Sequence, residues 1–249
     1  MTFPPGPQII AHRGFSALAP ENTMAAFNAA LAAGADAMEF DVQTAACGTP
    51  VLLHDPMLGR TTNGVGPLKR RPLGLLKVLD AGSWFGPEFK DERIPTQEEA
   101  LQHLAGKVGE VYQDIKGYRE MEDLDRMVEV TRRTGMAEAS VFVSSDWVVM
   151  NRLKRVAPEI RRAYLVVGAD QFPEALDRSV VDEGSLLSVE IGLCLGDRGA
   201  VREAQDSGVE LVTWTVNEPR DAAHALAMGI QRITTDRVDD LLAWKGGLG

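Results

Sequence analysis

The sequence predicts an α/β protein folded as a TIM-type (β/α)8 barrel with a small insertion after the second barrel strand. Two observations predict it. Apolar, β-branched runs alternate with helix-length amphipathic segments almost throughout, the pattern of parallel βαβ units. Polar residues also collect at the C-terminal ends of those runs, the face on which barrel enzymes place their chemistry. A doubly wound open sheet is the runner-up architecture, because strand counting alone separates the two poorly.

The strand candidates are Gln8–Ala11, Ala37–Gln43, Pro50–His54, Glu110–Lys116, Ser140–Ser144, Ala163–Val167, Leu187–Ile191, Leu211–Val216 and Gln231–Thr235. Helices are expected at Thr23–Ala33, Met121–Thr134, Trp147–Val156, Arg198–Ser207 and Asp221–Met228. The strands outnumber a closed eight-stranded barrel by one. Parallel neighbours need a crossover of about a dozen residues, and only a short loop separates Gln43 from Pro50. Pro50–His54 is therefore expected to return antiparallel through a turn at Cys47–Gly48, leaving eight parallel strands. That turn would set His54 opposite Asp41, within roughly 5 Å at Cβ if they share a face. The stretch from Pro56 to Pro95, rich in Gly, Pro and Arg, is too long for an ordinary connection. It reads as a structured insertion or lid over residues 55–95, at the catalytic face of one domain spanning 1–249.

The net charge of −10 excludes a basic nucleic-acid footprint. An acidic protein acting on an anionic substrate needs local positive charge, from side chains or a bound cation. No run approaches the roughly 20 apolar residues of a membrane-spanning helix, so no stable membrane insertion is expected. Met1 to Pro7 has neither a basic region nor a long apolar run, which argues against a secretory signal. Cys47 and Cys194 carry no disulfide or zinc pattern and read as reduced thiols in a cytoplasmic protein. Apolar helix faces could pack within the barrel or between subunits, so a homo-oligomer stays open.

Strand one runs into His12-Arg13-Gly14, strand two carries Glu39 and Asp41, and the hairpin return ends at His54-Asp55. Further along come Asp114-Ile115-Lys116, Ser144-Ser145-Asp146, Trp214 to Asn217, and Thr235-Asp236. In a barrel these ends meet at one mouth. Glu39 and Asp41 are two apart, so both point the same way and need a cation or a proton between them. With Asp114 they form an all-oxygen donor set that suits Mg2+ or Ca2+ better than zinc. Alone, such carboxylates more often cap helices or pair with arginine. Histidine as a residue type can give or take a proton near neutrality, so His12 and His54 could act as general base and general acid. His103 and His224, on predicted helices, read as structural. Arg13 suits bidentate phosphate contact and Lys116 acts as a point charge.

As an ordered set, these residues resemble the glycerophosphodiester phosphodiesterase family. Ala11-His12-Arg13-Gly14, Pro20-Glu21-Asn22-Thr23, Glu39-Phe40-Asp41-Val42-Gln43 and Val51-Leu52-Leu53-His54-Asp55 match its opening motifs. Arg60-Thr61-Thr62-Asn63-Gly64, Leu79-Asp80-Ala81-Gly82 and Arg93-Ile94-Pro95-Thr96 are similar to its insertion. Trp214-Thr215-Val216-Asn217 and Ile233-Thr234-Thr235-Asp236 are similar to its closing strands. The resemblance implies a TIM barrel that hydrolyses glycerophosphodiesters to glycerol 3-phosphate and an alcohol, in lipid and glycerol metabolism. It implies His12 and His54 as the acid–base pair, and Glu39, Asp41 and Asp114 as ligands of a divalent cation, Mg2+ or Ca2+. Arg13, Lys116 and Trp214 would hold the phosphate and the rest of the substrate. Asp114 replaces the family's usual glutamate, and Ala46-Cys47-Gly48 its usual Lys-Asp-Gly turn. Ser144-Ser145-Asp146 lacks the aromatic residue that commonly follows the serines. Two rival readings remain. One is a lysophospholipase D-like enzyme with Trp84, Phe85 and Phe89 beside an apolar groove. The other is a non-catalytic barrel that binds a phosphorylated ligand.

Overall fold

A computed structural model describes residues 6–248. Most of the N-terminal segment read above for a secretory signal lies outside that range, as do both ends of the 1–249 span. The described strands are β1 (Gln8–Ala11), β2 (Ala37–Thr44), β3 (Pro50–Leu52), β4 (Glu110–Ile115), β5 (Ser140–Ser144), β6 (Arg161–Val166), β7 (Leu186–Glu190), β8 (Glu210–Trp214) and β9 (Arg232–Thr235). The order β1-β9-β8-β7-β6-β5-β4-β2 is parallel throughout and closes through a β1–β2 pairing, giving an eight-stranded barrel. β3 stands outside the ring, antiparallel to β2. The barrel expected from the sequence is therefore the fold, and the open sheet is excluded by closure.

The helices are α1 (Met24–Ala33), α2 (Leu73–Leu76), α3 (Gln97–Leu104), α4 (Met121–Arg133), α5 (Trp147–Val156), α6 (Phe172–Val180), α7 (Ile191–Gly196), α8 (Arg198–Asp206), α9 (Pro219–Ala227) and α10 (Val238–Gly246). Several begin with a side-chain cap. Thr23 and Asp146 cap α1 and α5, and Thr96 forms a capping box with Glu99 on α3. The main core lies between strands and helices, with Phe27, Phe40 and Phe142 fully buried.

Inside the ring the strand period of two decides what faces the axis. Ile10, Ala37, Tyr112, Val143, Leu165 and Val212 fill it. Two residues further along the same strands stand His12, Glu39, Asp114, Val167 and Trp214, at the C-terminal mouth. At the N-terminal end the ring is stoppered by a polar network. The Arg232 guanidinium contacts Glu110, donates to the Tyr112 hydroxyl at 2.6 Å and to Gln8 at 3.0 Å. Tyr112 in turn donates to Gln8 and Glu110, each at 3.0 Å.

The hairpin corrects one expectation. Val42 pairs with Leu52, Gln43 with Val51 and Thr44 with Pro50, one residue away from the register that sets His54 opposite Asp41. Continuing that register puts Leu53 opposite Asp41, and Leu53 is buried in the cluster under the insertion. β3 also stops at Leu52, not at His54. His54 still reaches the mouth because the chain turns there. The Gln43 side-chain amide faces the carbonyls of Leu53, His54 and Asp55 at 2.9, 3.0 and 2.7 Å.

Residues 55–96 leave the mouth and return to α3 through short helical turns at Leu58–Arg60, Leu68–Arg70 and Pro87–Phe89 and the single-turn α2. Ala45, Val51, Leu53, Leu58, Leu68, Leu76, Ala81 and Ile94 form a separate apolar cluster beneath them.

Candidate active site

His12 and His54, the three carboxylates, Arg13, Lys116 and Trp214 singled out from the sequence lie at or beside the C-terminal mouth. A cavity of about 210 Å³ is lined by His12, Arg13, Glu39, His54, Asp114, Lys116 and Trp214. Asp41 sits just beneath, 1% exposed.

The turn after β1 is built for this. Gly14 has φ 84°, and a Cβ there would come within 2.6 Å of the Ala26 Cβ and 2.7 Å of its backbone carbon. Only glycine lets the chain pass so close to α1. Arg13 has φ 55°, a region that costs non-glycine residues of the order of 1–3 kcal/mol. Its contacts offset that cost. The Arg13 backbone N–H donates to Glu39 Oε2 at 2.8 Å, its Nε lies 3.1 Å from Asp41 Oδ2, and it donates to Glu21 at 2.8 Å.

Each carboxylate of the cluster is held on one oxygen. Asp41 Oδ2 accepts from Asn22 Nδ2 at 2.7 Å, while Asn22 Oδ1 accepts from the Asp41 backbone N–H at 3.0 Å. Asp114 Oδ2 accepts from Lys116 Nζ at 2.6 Å. Asp41 Oδ1 and Asp114 Oδ1 are buried with no hydrogen-bond donor among the described residues. One oxygen each of Glu39, Asp41 and Asp114 lies within 4.8 Å of the others. Buried acceptors without donors are costly, so a missing positive partner is indicated. An all-oxygen set with two orphaned atoms fits a hard divalent cation.

The electrostatics agree. Burial and the neighbouring Asp41 charge push Glu39 up to about 8, and burial also raises Asp114. Asp41 is lowered: burial opposes it, but Arg13 and Lys116 outweigh the burial. Burial and mutual repulsion thus oppose ionisation of Glu39 and Asp114, and a further positive charge between them would relieve both. Burial works against the charged forms of Arg13 and Lys116 too, yet the carboxylates beside them raise both.

Both imidazoles are oriented by a carboxylate on Nδ1. His12 Nδ1 is 2.7 Å from Asp236 Oδ1, and its Nε2 faces Glu39 at 3.9 Å. Asp236 is fixed by Ser16 Oγ at 2.9 Å and Asn217 Nδ2 at 2.8 Å. Burial lowers the His12 pKa, but the Asp236 hydrogen bond and the Glu39 charge leave it raised overall. His54 Nδ1 is 2.7 Å from Asp55 Oδ1. Arg60, in the insertion, donates to both Asp55 oxygens at 2.7 and 3.0 Å and to both Glu21 oxygens at 2.8 Å. Those Arg60 hydrogen bonds hold Asp55 down at about 2. An ion-pair chain Arg13–Glu21–Arg60–Asp55 thus links the two histidines across the mouth.

Sequence reasoning did not assign Asp236, Asn217, Asn22, Glu21, Asp55 or Arg60 to these tasks. Nor did it find Tyr112, Val143, Leu165, Val167, Ser188, Val212 and Thr234, which line the rest of the cavity. The two-residue period of each strand was the available signal for those. Ser144-Ser145-Asp146 does not line the cavity; Asp146 accepts from the Val148 N–H and caps α5. Phe85 meets Trp84 and Phe89 edge to face, with ring centroids 5.6 and 5.5 Å apart, and none of the three lines it either. His103 bonds Asn28 at 2.8 Å and His224 lies 3.9 Å from Asp221, both away from the mouth. Trp214 Nε1 is a buried donor with no acceptor among the described residues, in the cavity wall.

Arg13 and Lys116, set in a barrel mouth beside buried carboxylates two of whose oxygens lack donors, suit a barrel enzyme of phosphate-ester chemistry. The family model of the glycerophosphoryl diester phosphodiesterases matches residues 12–240, and the chain belongs to that family. It is 32% identical over 245 residues to a glycerophosphodiester phosphodiesterase of Caldanaerobacter subterraneus subsp. tengcongensis, covering 96% of this chain and 98% of that one. An Oleispira antarctica phosphodiesterase, solved in complex with the product sn-glycerol-3-phosphate, superimposes with a TM-score of 0.88 at 30% identity, covering 96% of each chain. A glycerophosphodiester phosphodiesterase from Agrobacterium tumefaciens gives 0.83 at 29%, covering 95% of this chain and 99% of that one.

Proposed function

We propose that this enzyme hydrolyses glycerophosphodiesters to glycerol 3-phosphate and an alcohol, as one domain in which residues 55–95 form the rim of the mouth. The observation that carries the reading is the triad of buried carboxylates with orphaned oxygens, set between two imidazoles that are each oriented through Nδ1. Glu39, Asp41 and Asp114 would hold a divalent cation, which would offset negative charge on the phosphate oxygens. Mg2+ and Ca2+ both suit these oxygen donors.

Arg13 and Lys116 neutralise the phosphate, and the Trp214 Nε1–H donates to a substrate oxygen. Asp236 accepts from His12 Nδ1–H, which leaves Nε2 bare towards the carboxylates. His12 Nε2 then takes the proton of the nucleophile, which is water or the glycerol hydroxyl; the hydroxyl route gives a cyclic phosphate that water opens to glycerol 3-phosphate in a second displacement. The new P–O bond forms as the bond to the alcohol oxygen breaks. His54, with Nδ1–H on Asp55, passes its Nε2 proton to that leaving oxygen. We propose that the reaction serves glycerol and lipid metabolism in the cytoplasm. No described helix is long and apolar enough to cross a membrane.

Hydrolysis of glycerophosphocholine by EDTA-stripped enzyme, with Mg2+, Ca2+ or Mn2+ restored one at a time, tests this. Restored release of glycerol 3-phosphate supports the reading and ranks the cations. Turnover of lysophospholipid micelles alone would favour the lipid-directed relative, for which Val143, Leu165, Val167 and Val212 offer an apolar wall. Silence on both substrates would favour a barrel that only binds.

A further inference from the structure

The insertion carries a surface that the hydrolytic site does not use. Between Pro56 and Leu79 stand Arg60, Lys69, Arg70, Arg71 and Lys77 and no Asp or Glu, in a chain whose net charge is −10. Arg60 is bound to Glu21 and Asp55, and Lys77 to Glu99 at 2.6 Å. Among the described residues, Lys69, Arg70 and Arg71 form no ion pair. Arg71 instead donates to the Val65 carbonyl at 2.8 Å, at the edge of a hollow walled by Val65, Leu75, Val78 and Leu79. Val65, Leu75 and Val78 are 74%, 54% and 68% exposed. Lys69 and Arg70 project from the helical turn just before Arg71, both exposed.

Exposed apolar side chains rimmed by uncompensated cations suit an interface that is apolar within and anionic at its surface. We propose that this face docks the enzyme reversibly on an anionic phospholipid bilayer. Val65, Leu75 and Val78 enter the boundary between headgroups and acyl chains, and Lys69, Arg70 and Arg71 face the lipid phosphates. A second copy of the chain fits less well. A two-fold contact sets a patch against itself, which would oppose the same three cations. The mouth lies close by, because Leu58, in the floor of the hollow, is two residues from Arg60, which holds Asp55 beside His54.

The test is flotation of the full-length protein with phosphatidylcholine vesicles, with and without phosphatidylglycerol. The wild type should float with the anionic vesicles only, and raised salt should release it. Each basic side chain near such a surface strengthens partition about fivefold, so K69Q/R70Q should weaken it about twenty-five-fold. V65S/L75S/V78S should weaken it as well. Both variants should keep the wild-type melting temperature and glycerophosphocholine turnover, since none of these residues reaches the mouth. Failure of the wild type to float, or flotation indifferent to both variants, overturns the proposal. Sedimentation as a dimer that V65S/L75S/V78S converts to monomer would also overturn it and assign the face to a second copy.

Discussion

Asp236 offers the sharpest test of the acid–base scheme, because it touches His12 from the far side of the ring. Its carboxylate accepts from His12 Nδ1 at 2.7 Å, and Ser16 and Asn217 fix the carboxylate in turn. Asp236→Ala removes that acceptor and leaves the imidazole free to rotate. A hydrogen bond to a charged group contributes about 1.5–3 kcal/mol, so kcat should fall roughly 10- to 150-fold. Asp236→Asn should be worse despite its closer shape. Its amide can donate to Nδ1, which puts the ring proton on Nε2 and removes the base. A general base contributes about 10²–10⁴-fold, and kcat should fall by that much with KM little changed. Stopped-flow or coupled assays of glycerol 3-phosphate release at saturating cation measure both variants. Circular dichroism melts show whether each remains folded. An Asp236→Asn enzyme within threefold of wild type, or one no slower than Asp236→Ala, refutes the assignment of His12 Nε2 as base.

Three further outcomes follow from the geometry. Gly14→Ala places a Cβ 2.6 Å from the Ala26 Cβ at a positive φ, and should cost about 2 kcal/mol or more, read as a lower Tm and reduced activity together. Trp214→Phe removes the orphaned Nε1 donor but keeps the ring, and should raise KM several-fold with a smaller change in Tm. Asp182 supplies a pH-dependent case: burial raises its pKa, but hydrogen bonds from Arg162 at 2.7 and 2.8 Å and from Tyr164 at 2.9 Å leave it lowered. A depressed folded pKa stabilises fully above the unfolded value of about 3.9, and that contribution fades as pH falls through the folded value. Asp182→Asn should therefore lose about 3 kcal/mol in urea melts at pH 7, and the gap to wild type should narrow below about pH 4.

Much of the barrel is legible in the sequence because each strand announces itself by a β-branched run and each site residue sits where that run ends. Glu39, Asp41 and Asp114 meet because strands of matching register face one axis, with Asp41 paired directly to Asp114. The hairpin is less legible. Its register depends on which turn residues close it, and the pairing of Val42 with Leu52 differs by one residue from the symmetric guess. The supporting polar residues are hidden for another reason. His12 and Asp236 are 224 residues apart and adjoin only because β9 pairs with β1. Asn22 gives a local hint, since asparagine tolerates its φ of 58°, but its grip on Asp41 depends on the folded turn.

The stopper of Arg232, Glu110, Gln8 and Tyr112 gives the barrel a single door. Tyr112 is also the floor of the cavity, so what enters at the C-terminal mouth has no route out below. Products formed in the mouth would have to leave by the way the substrate came. With Arg13 and Lys116 in the phosphate-holding role proposed above, the phosphate-bearing product would be the last to go. Glycerol 3-phosphate would then compete with its own precursor for that shared opening, and turnover would slow as product accumulates.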